Sequence, residues 1–381
     1  MKIALLSNGL FPESIGGMQK HSTLMAQHLA RLGTSVDVYA PTWEDTGDAS
    51  GIDLENGQLD IQVLRAPPGR RRRHPGHYLA ECYDYSRNLL SAHRDRLKSA
   101  DLIYIQGFSG WALLNEKAGG ASFPPTVLNF HGLEMFQRAA SLRDKLQHWM
   151  FRPWVKRLIK KADYVQSLGG KLTPILSRWK SEDCIIVQGI GIPDDWMCDS
   201  DRIQENVLRV CFVGRYARLK GIEEIIAAVK EFGHLDRLHI TFIGPIPHDK
   251  QLCSSNVTYL GEVRDPKRIQ AELQNSDVLL CPSYSEGMPT VILEAMACEC
   301  AIIATDVGAV SELVDAANGW LMPAPRPALI RDAIQKASAL SDPSLQEMKS
   351  ASRRRVQERF TWEIVARQMQ RRFQDIATNV A

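Results

Sequence analysis

The stretch "RVCFVGRYARLKGIEEIIAAVKEF", residues 209–232, decides the fold. An apolar run ends at Gly214, a loop carrying Arg215 and Lys220 follows, and an amphipathic segment begins near Gly221. Strand, polar loop and helix in that order open a β-α-β unit of a parallel, doubly wound sheet. The same order already occurs at the start of the chain. "KIALLS" (2–7) is an apolar run, "NGLFPESIGG" (8–17) a glycine-containing loop, and "MQKHSTLMAQHLARLG" (18–33) an amphipathic stretch with Gly33 placed as a helix C-cap; "SVDVYAP" (35–41) reads as the next strand.

Further buried strands are predicted at "DLIYIQG" (101–107), "PTVLNFHG" (125–132) and "ADYVQSLGG" (162–170). After the restart they continue with "LHITFIGP" (238–245), "VTYLGEV" (257–263), "DVLLCPS" (277–283), "CAIIATD" (300–306) and "GWLMPA" (319–324). The expectation is an α/β chain of two tandem Rossmann-like domains facing each other across a cleft. Residues 1–195 form the first and 196–361 the second, and the amphipathic tail 362–381 returns to the first. Ligands of such sheets bind at the carboxyl ends of the strands, which places the site in the cleft.

At 381 residues the chain suits two cores rather than one. A formal net charge of +2 argues against nucleic acid as the partner of the whole molecule. The charge is uneven, however. From Arg138 to Lys180, eleven Lys and Arg stand against two acids, Asp144 and Asp163. Eight cysteines are scattered without a C-x-x-C or a Cys/His ligand spacing, as expected of a reduced, cytoplasmic protein. The opening "MKIALLSNGLFP" is read as a strand and loop rather than a secretory leader, its apolar part being too short. No run approaches the ~18 apolar residues of a membrane span.

Two strand-end loops carry chemistry. Arg215 and Lys220, with helix N-terminal amides, suit a diphosphate; the bland reading is a solvated basic loop. In "SEGMPTVILEAMAC" (285–298), Pro289 fits the first turn of a helix, so the amides of Gly287, Met288 and Thr290 point out of its N-terminus. Glu294 is placed to accept hydrogen bonds from a ribose diol, and Glu286 from the hydroxyls of a sugar. The bland reading of this pair is a capped helix with one partly exposed acid.

G-R-x4-K (214–220) followed by E-G-x6-E (286–294), on tandem Rossmann-like domains, resembles the retaining family 4 glycosyltransferases of the GT-B fold. The resemblance covers nearly the whole chain. It includes Gly16 and Gly17, His131 in "NFHGLE", and "AIIATDVGAVSELV" (301–314). It implies that Arg215 and Lys220 hold the donor diphosphate, Glu294 the ribose and Glu286 the transferred sugar. His131 would lie near the sugar's C6 side, and the Gly17 amide near the diphosphate or acceptor. It also implies retention of anomeric configuration. Met288 and Pro289 stand where the family often has Phe-Gly, Cys298 and Glu299 where it has Cys-Gly, and Gln188 and Gly191 where it has Asn and Asp.

No cofactor or metal is expected, the donor substrate being a nucleotide-diphosphate sugar. "DSD" (199–201), the metal-binding pattern of another transferase fold, falls in the linker and is read as chance. Charge on the leaving group is then left to Arg215, Lys220 and helix dipoles. On the acceptor side, "KLQHWMFRPWVKRLIKK" (145–161) interleaves Trp149, Phe151 and Trp154 with cations. It suits either an anionic membrane surface or packing on the first sheet. The run Arg70 to Arg73 is a second basic site. The expected partner is therefore a glycan or lipid-linked acceptor in polysaccharide or lipopolysaccharide assembly, at the inner face of the cytoplasmic membrane. A small soluble acceptor, or a nucleotide-sugar epimerase of the same fold, are the alternatives. A nicotinamide dehydrogenase would need a G-x-G-x-x-G after the first strand, and "SNGLFPESIGG" lacks it.

Overall fold

A computed structural model describes residues 1–14, 16–42, 59–70, 76–197, 207–232 and 237–378. Two parallel sheets account for the strands. The first has β1 (Lys2–Leu6), β2 (Ser35–Pro41), β3 (Ile61–Ala66), β4 (Leu102–Gln106), β5 (Thr126–Asn129), β6 (Tyr164–Ser167) and β7 (Ile185–Val187), in spatial order β3-β2-β1-β4-β5-β6-β7. The second has β8 (Leu208–Val213), β9 (Leu238–Ile243), β10 (Val257–Tyr259), β11 (Val278–Cys281), β12 (Ala301–Thr305) and β13 (Gly319–Met322), in order β10-β9-β8-β11-β12-β13.

The strands are apolar along their length because helices cover both faces. In β4, β11 and β12 every residue is buried. Strand order reverses direction at β1/β4 in the first sheet and at β8/β11 in the second. Loops on the two sides of such a point diverge and leave a crevice.

The last helix, Trp362–Thr378, buries Trp362, Val365, Ala366, Met369, Phe373 and Ile376, a stripe at spacings of three and four. That stripe packs on the first domain. Phe373 meets Tyr104 of β4 at 5.2 Å between ring centroids, and Gln370 Nε2 donates to Leu32 O (3.0 Å) and Thr34 Oγ1 (2.8 Å). The chain thus crosses back over the cleft and ties the two halves together.

One local expectation is corrected. The helix carrying Glu294 runs Thr290–Ala297, so Pro289 precedes it in an extended conformation instead of sitting in its first turn. Lys220 ends a short 3-10 turn, Arg218–Lys220, and the α-helix starts two residues later at Ile222. The linker residues Asp199 to Asp201 and the arginines 71–73 lie outside the described residues.

Candidate active site

Loops from both sheets converge on one cleft of about 720 Å³. The first domain contributes Asn8 after β1, Gly17 at the start of helix Gly17–Arg31, Gly107 after β4, and His131 after β5. The second contributes Gly214 and Lys220 after β8, and Glu286, Met288 and Thr290 after β11.

Lys220 and Glu286 are brought together by a close approach of backbone. Gly221 has φ 68, and a Cβ there would stand 2.0 Å from the carbonyl oxygen of Pro282. Only glycine lets the two strand-end loops touch at that distance. Across this contact Lys220 Nζ donates to Glu286 Oε1 at 2.6 Å, and Ser283 Oγ donates to the same oxygen at 2.7 Å. Burial alone would lower the Lys220 ammonium. Glu286 outweighs it and, with Cys281 and Glu134, holds that ammonium above the ordinary lysine value. Arg218, in the same loop, is committed elsewhere. It pairs with Glu224, donates to Tyr284 OH at 2.9 Å and lies over that ring. Arg215 is exposed, and its charge reaches the cleft by acting on Glu134.

His131 faces this pair from the first domain. Its φ of 57 and that of Leu133, 49, fold the segment after β5 into a tight left-handed turn, uncommon for non-glycine residues. Asn129 Oδ1 accepts from the His131 amide (2.8 Å) and helps fix the turn. His131 Nε2 lies 2.7 Å from Gln106 Oε1, an acceptor, so Nε2 carries the proton and Nδ1 remains an acceptor. Burial pushes the imidazole down to about 4, so it is neutral at pH 7. Its ring also packs edge-on against the buried His21 at 4.8 Å.

Glu294 is separated from Glu286. It opens into an adjoining recess of about 20 Å³ that shares Gly17 and Thr290 with the cleft, and its partner there is Lys20 Nζ at 3.7 Å. Burial raises the Glu294 carboxyl, and Lys20 partly offsets that. Gly287 lies against the first domain, where a Cβ would stand 2.7 Å from the His131 carbonyl oxygen, and its own carbonyl accepts from the Ala309 amide of its own domain at 2.8 Å.

Several residues were not anticipated. Glu134 lines the cleft opposite Lys220, and burial, reinforced by Glu286, raises its carboxyl against the opposing pull of Lys220 and Arg215. The signal was available in "NFHGLE", three residues past His131. Gln137 Nε2 donates to Glu286 O at 2.6 Å and so pins the Glu286 loop to the first domain. Lys20 is the third; nothing in the spacing of its helix pointed to Glu294.

These features define a two-domain α/β chain of the GT-B fold with a cleft between its domains. Residues 15–168 match the family described as Glycosyltransferase Family 4, and residues 208–339 match the one described as Glycosyl transferases group 1. The chain is 26% identical to alpha-maltose-1-phosphate synthase of Mycolicibacterium smegmatis, covering 97% of each chain. It is 25% identical to phosphatidyl-myo-inositol mannosyltransferase of Mycobacterium leprae, covering 96% of this chain and 94% of that one. Among solved structures, sucrose-phosphate synthase from Thermosynechococcus elongatus superposes with a TM-score of 0.79 over 99% of both chains at 21% identity. The chain belongs to glycosyltransferase family 4.

Proposed function

We propose that this glycosyltransferase moves a sugar from a nucleoside-diphosphate sugar to a hydroxyl of a lipid-linked glycan precursor, with retention and without a divalent ion. The observation that carries the reading is the Lys220–Glu286 pair, 2.6 Å apart, on the strand-end loops that face His131 across the cleft. Lys220 supplies positive charge where the diphosphate departs, and the carboxylate that holds it accepts hydrogen bonds from the sugar. The bond from the anomeric carbon to the β-phosphate oxygen breaks with its electrons going to that oxygen. The acceptor oxygen bonds the same carbon on the same face, and its proton passes to the departing phosphate. His131, neutral and donating to Gln106, offers Nδ1 to a sugar hydroxyl.

Calorimetric titration with UDP, GDP and ADP should give saturable binding for one of them. Transfer from the matching sugar donor should then persist in EDTA. No binding by any of the three would defeat the donor assignment. Loss of activity in EDTA with rescue by a divalent ion would move charge neutralisation away from Lys220.

The lipid-linked acceptor and peripheral location at the inner membrane face are supported by the helix Leu142–Lys161. Its Trp154 packs against Trp111 and its Phe151 against Phe108, so two of the three aromatics belong to the fold. The rest of the surface is different. Leu142 (85% exposed), Leu146 (65%) and Trp149 (70%) lie at i, i+4 and i+7 on one outward side. Arg143, Lys145, Arg157 and Lys160, all exposed, flank that side. An apolar stripe between cations fits an anionic bilayer, with about 1 kcal/mol per basic residue near the surface, screened by salt. No described helix is long and apolar enough to cross a membrane. The protein should co-sediment with phosphatidylglycerol vesicles at low salt. It should be released by high salt, by charge reversal at those four residues, or by Trp149→Ser. If it stays in the supernatant at low salt, a soluble acceptor is the better reading.

A further inference from the structure

The same helix has a second, inward edge that the donor chemistry leaves unused. Asp144, Gln147, His148 and Phe151 follow one another at helical spacing and line the cleft. They lie on the side opposite Leu142, Leu146 and Trp149. In the next turns the inward side buries Val155, Leu158 and Ile159 in the domain core. The N-terminal half of the helix therefore overhangs the cavity, while the C-terminal half anchors it.

We propose that the cleft end beneath this overhang is the acceptor subsite, and that it takes an uncharged or amine-bearing sugar ring while rejecting an anionic one. The inference rests on the glycosyl-transfer reading of the cleft. Tyr78 and Phe151, with ring centroids 5.9 Å apart, offer apolar faces to the C–H side of a pyranose. Asp144, Gln147 and His148 offer hydroxyl partners beside them. Ser141 caps this helix, its Oγ accepting from the Asp144 amide at 3.1 Å and donating to Asp144 Oδ2 at 2.7 Å, and that leaves Asp144 Oδ1 for a ligand. His148 Nδ1 is closed off from solvent and has no hydrogen-bond partner in the unliganded protein.

The rejection follows from charge. Among the described residues lining the cleft, Lys220 is the one Lys or Arg, and Glu286 already holds it. Glu134 and Asp144 are carboxylates on the acceptor side. His148 does not compensate them, because burial, with Arg152 adding to it, outweighs Asp144 and keeps its imidazolium below the ordinary range. Arg152 itself turns away to donate to Met135 O at 2.7 Å. A phosphate or carboxylate on the reacting ring would meet the Glu134 and Asp144 carboxyls, while the cations that act on Glu134, Lys220 and Arg215, stand on the second domain and Glu286 holds the first of them, a case of specificity by repulsion. The phosphates of a lipid carrier would instead lie outside, along the cationic flanks of the helix.

The test uses saturation-transfer NMR on the full chain, with whichever of UDP, GDP or ADP binds present at saturation. The probes are methyl glucoside, methyl galactoside and methyl glucosaminide, set against methyl glucuronide and glucose 6-phosphate. At least one neutral or amino sugar should receive saturation, the two anionic probes should not, and Tyr78→Ala should abolish the signal. Gln147→Lys, or Glu134→Gln should that variant misfold, should raise methyl glucuronide affinity by about tenfold, the scale of one close charge. Equal binding of anionic and neutral probes to the wild type would overturn the proposal. So would the absence of any neutral or amino binder, or a folded Gln147→Lys protein that still ignores the glucuronide. Failure of all three nucleotides to bind would instead remove the donor reading, which the same sample reports separately.

Discussion

Lys220→Ala is expected to lower kcat/KM by at least ~100-fold, the scale of removing one preorganised charge partner from a transition state. The same change should also cost stability. Glu286 is 8% exposed and would keep only the Ser283 hydroxyl on the oxygen that Lys220 now holds. Leaving a largely buried carboxylate without its cation costs about 2 kcal/mol here, after allowing for the 31% exposure of the Lys220 side chain. The two losses come apart in a double variant. Lys220→Ala/Glu286→Gln removes the stranded charge, so the thermal midpoint should recover while turnover does not. A folded Lys220→Ala protein with near-normal kcat/KM would refute the role of Lys220 in the leaving-group charge. Recovery of turnover in the double variant would show that the single variant had failed only through instability.

The pairing itself was not legible in the sequence, although both residues were. Strand-loop-helix repeats with fully apolar strands announce a parallel sheet, because only helices on both faces permit such strands. The restart at residues 209–232 announces a second sheet. What a linear pattern withholds is which loop tips touch. The sequence places Lys220 at the donor diphosphate and Glu286 at the transferred sugar, yet the close approach at Gly221 joins them before any ligand arrives. Glu294 was assigned to the ribose from its place in a helix. Its neighbour Lys20 lies in the other domain, 274 positions earlier, and no periodicity reports on that.

The departures from the family pattern make the same point from the other direction. Met288 and Gly191 look like two unrelated irregularities, about a hundred residues apart. In the fold they belong to one junction. Met288 Sδ accepts from the Ile190 amide at 3.3 Å, and a side chain at Gly189 would meet that methionine's methyl at 2.9 Å. Gly191 in turn admits the Trp362 ring, where a Cβ would come within 2.8 Å. Met288 thus fills the space beside Gly189 and Trp362 the space beside Gly191, and Trp362 begins the helix that crosses back to the first domain.

Gly308, in "AIIATDVGAVSELV", sits at a comparable junction and supports the second large prediction. It has φ +55, and a Cβ there would stand 2.1 Å from the Glu286 carbonyl oxygen and 2.5 Å from that of Gly287. Its own carbonyl accepts from the Lys171 amide of the first domain at 2.7 Å. All three neighbours are backbone, so none can yield by rotating a side chain. Gly308→Ala must therefore push the 286–287 loop away, at about 2–4 kcal/mol for left-handed strain plus overpacking. The thermal midpoint should fall by about 5–10 °C. Glu286 moves with its backbone, and a displacement near 1 Å at such a site costs roughly 100-fold in kcat/KM. Gly33→Ala is the control, since Gly33 also has positive φ (+80) but nothing within 4 Å of the added carbon. It should show the conformational cost alone, about 1 kcal/mol, with kcat/KM unchanged. If Gly308→Ala behaves like Gly33→Ala in both measurements, the contact behind the Glu286 loop does not set its position. The placement of the Glu286 carboxylate would then have to come from Lys220 and Gln137 alone.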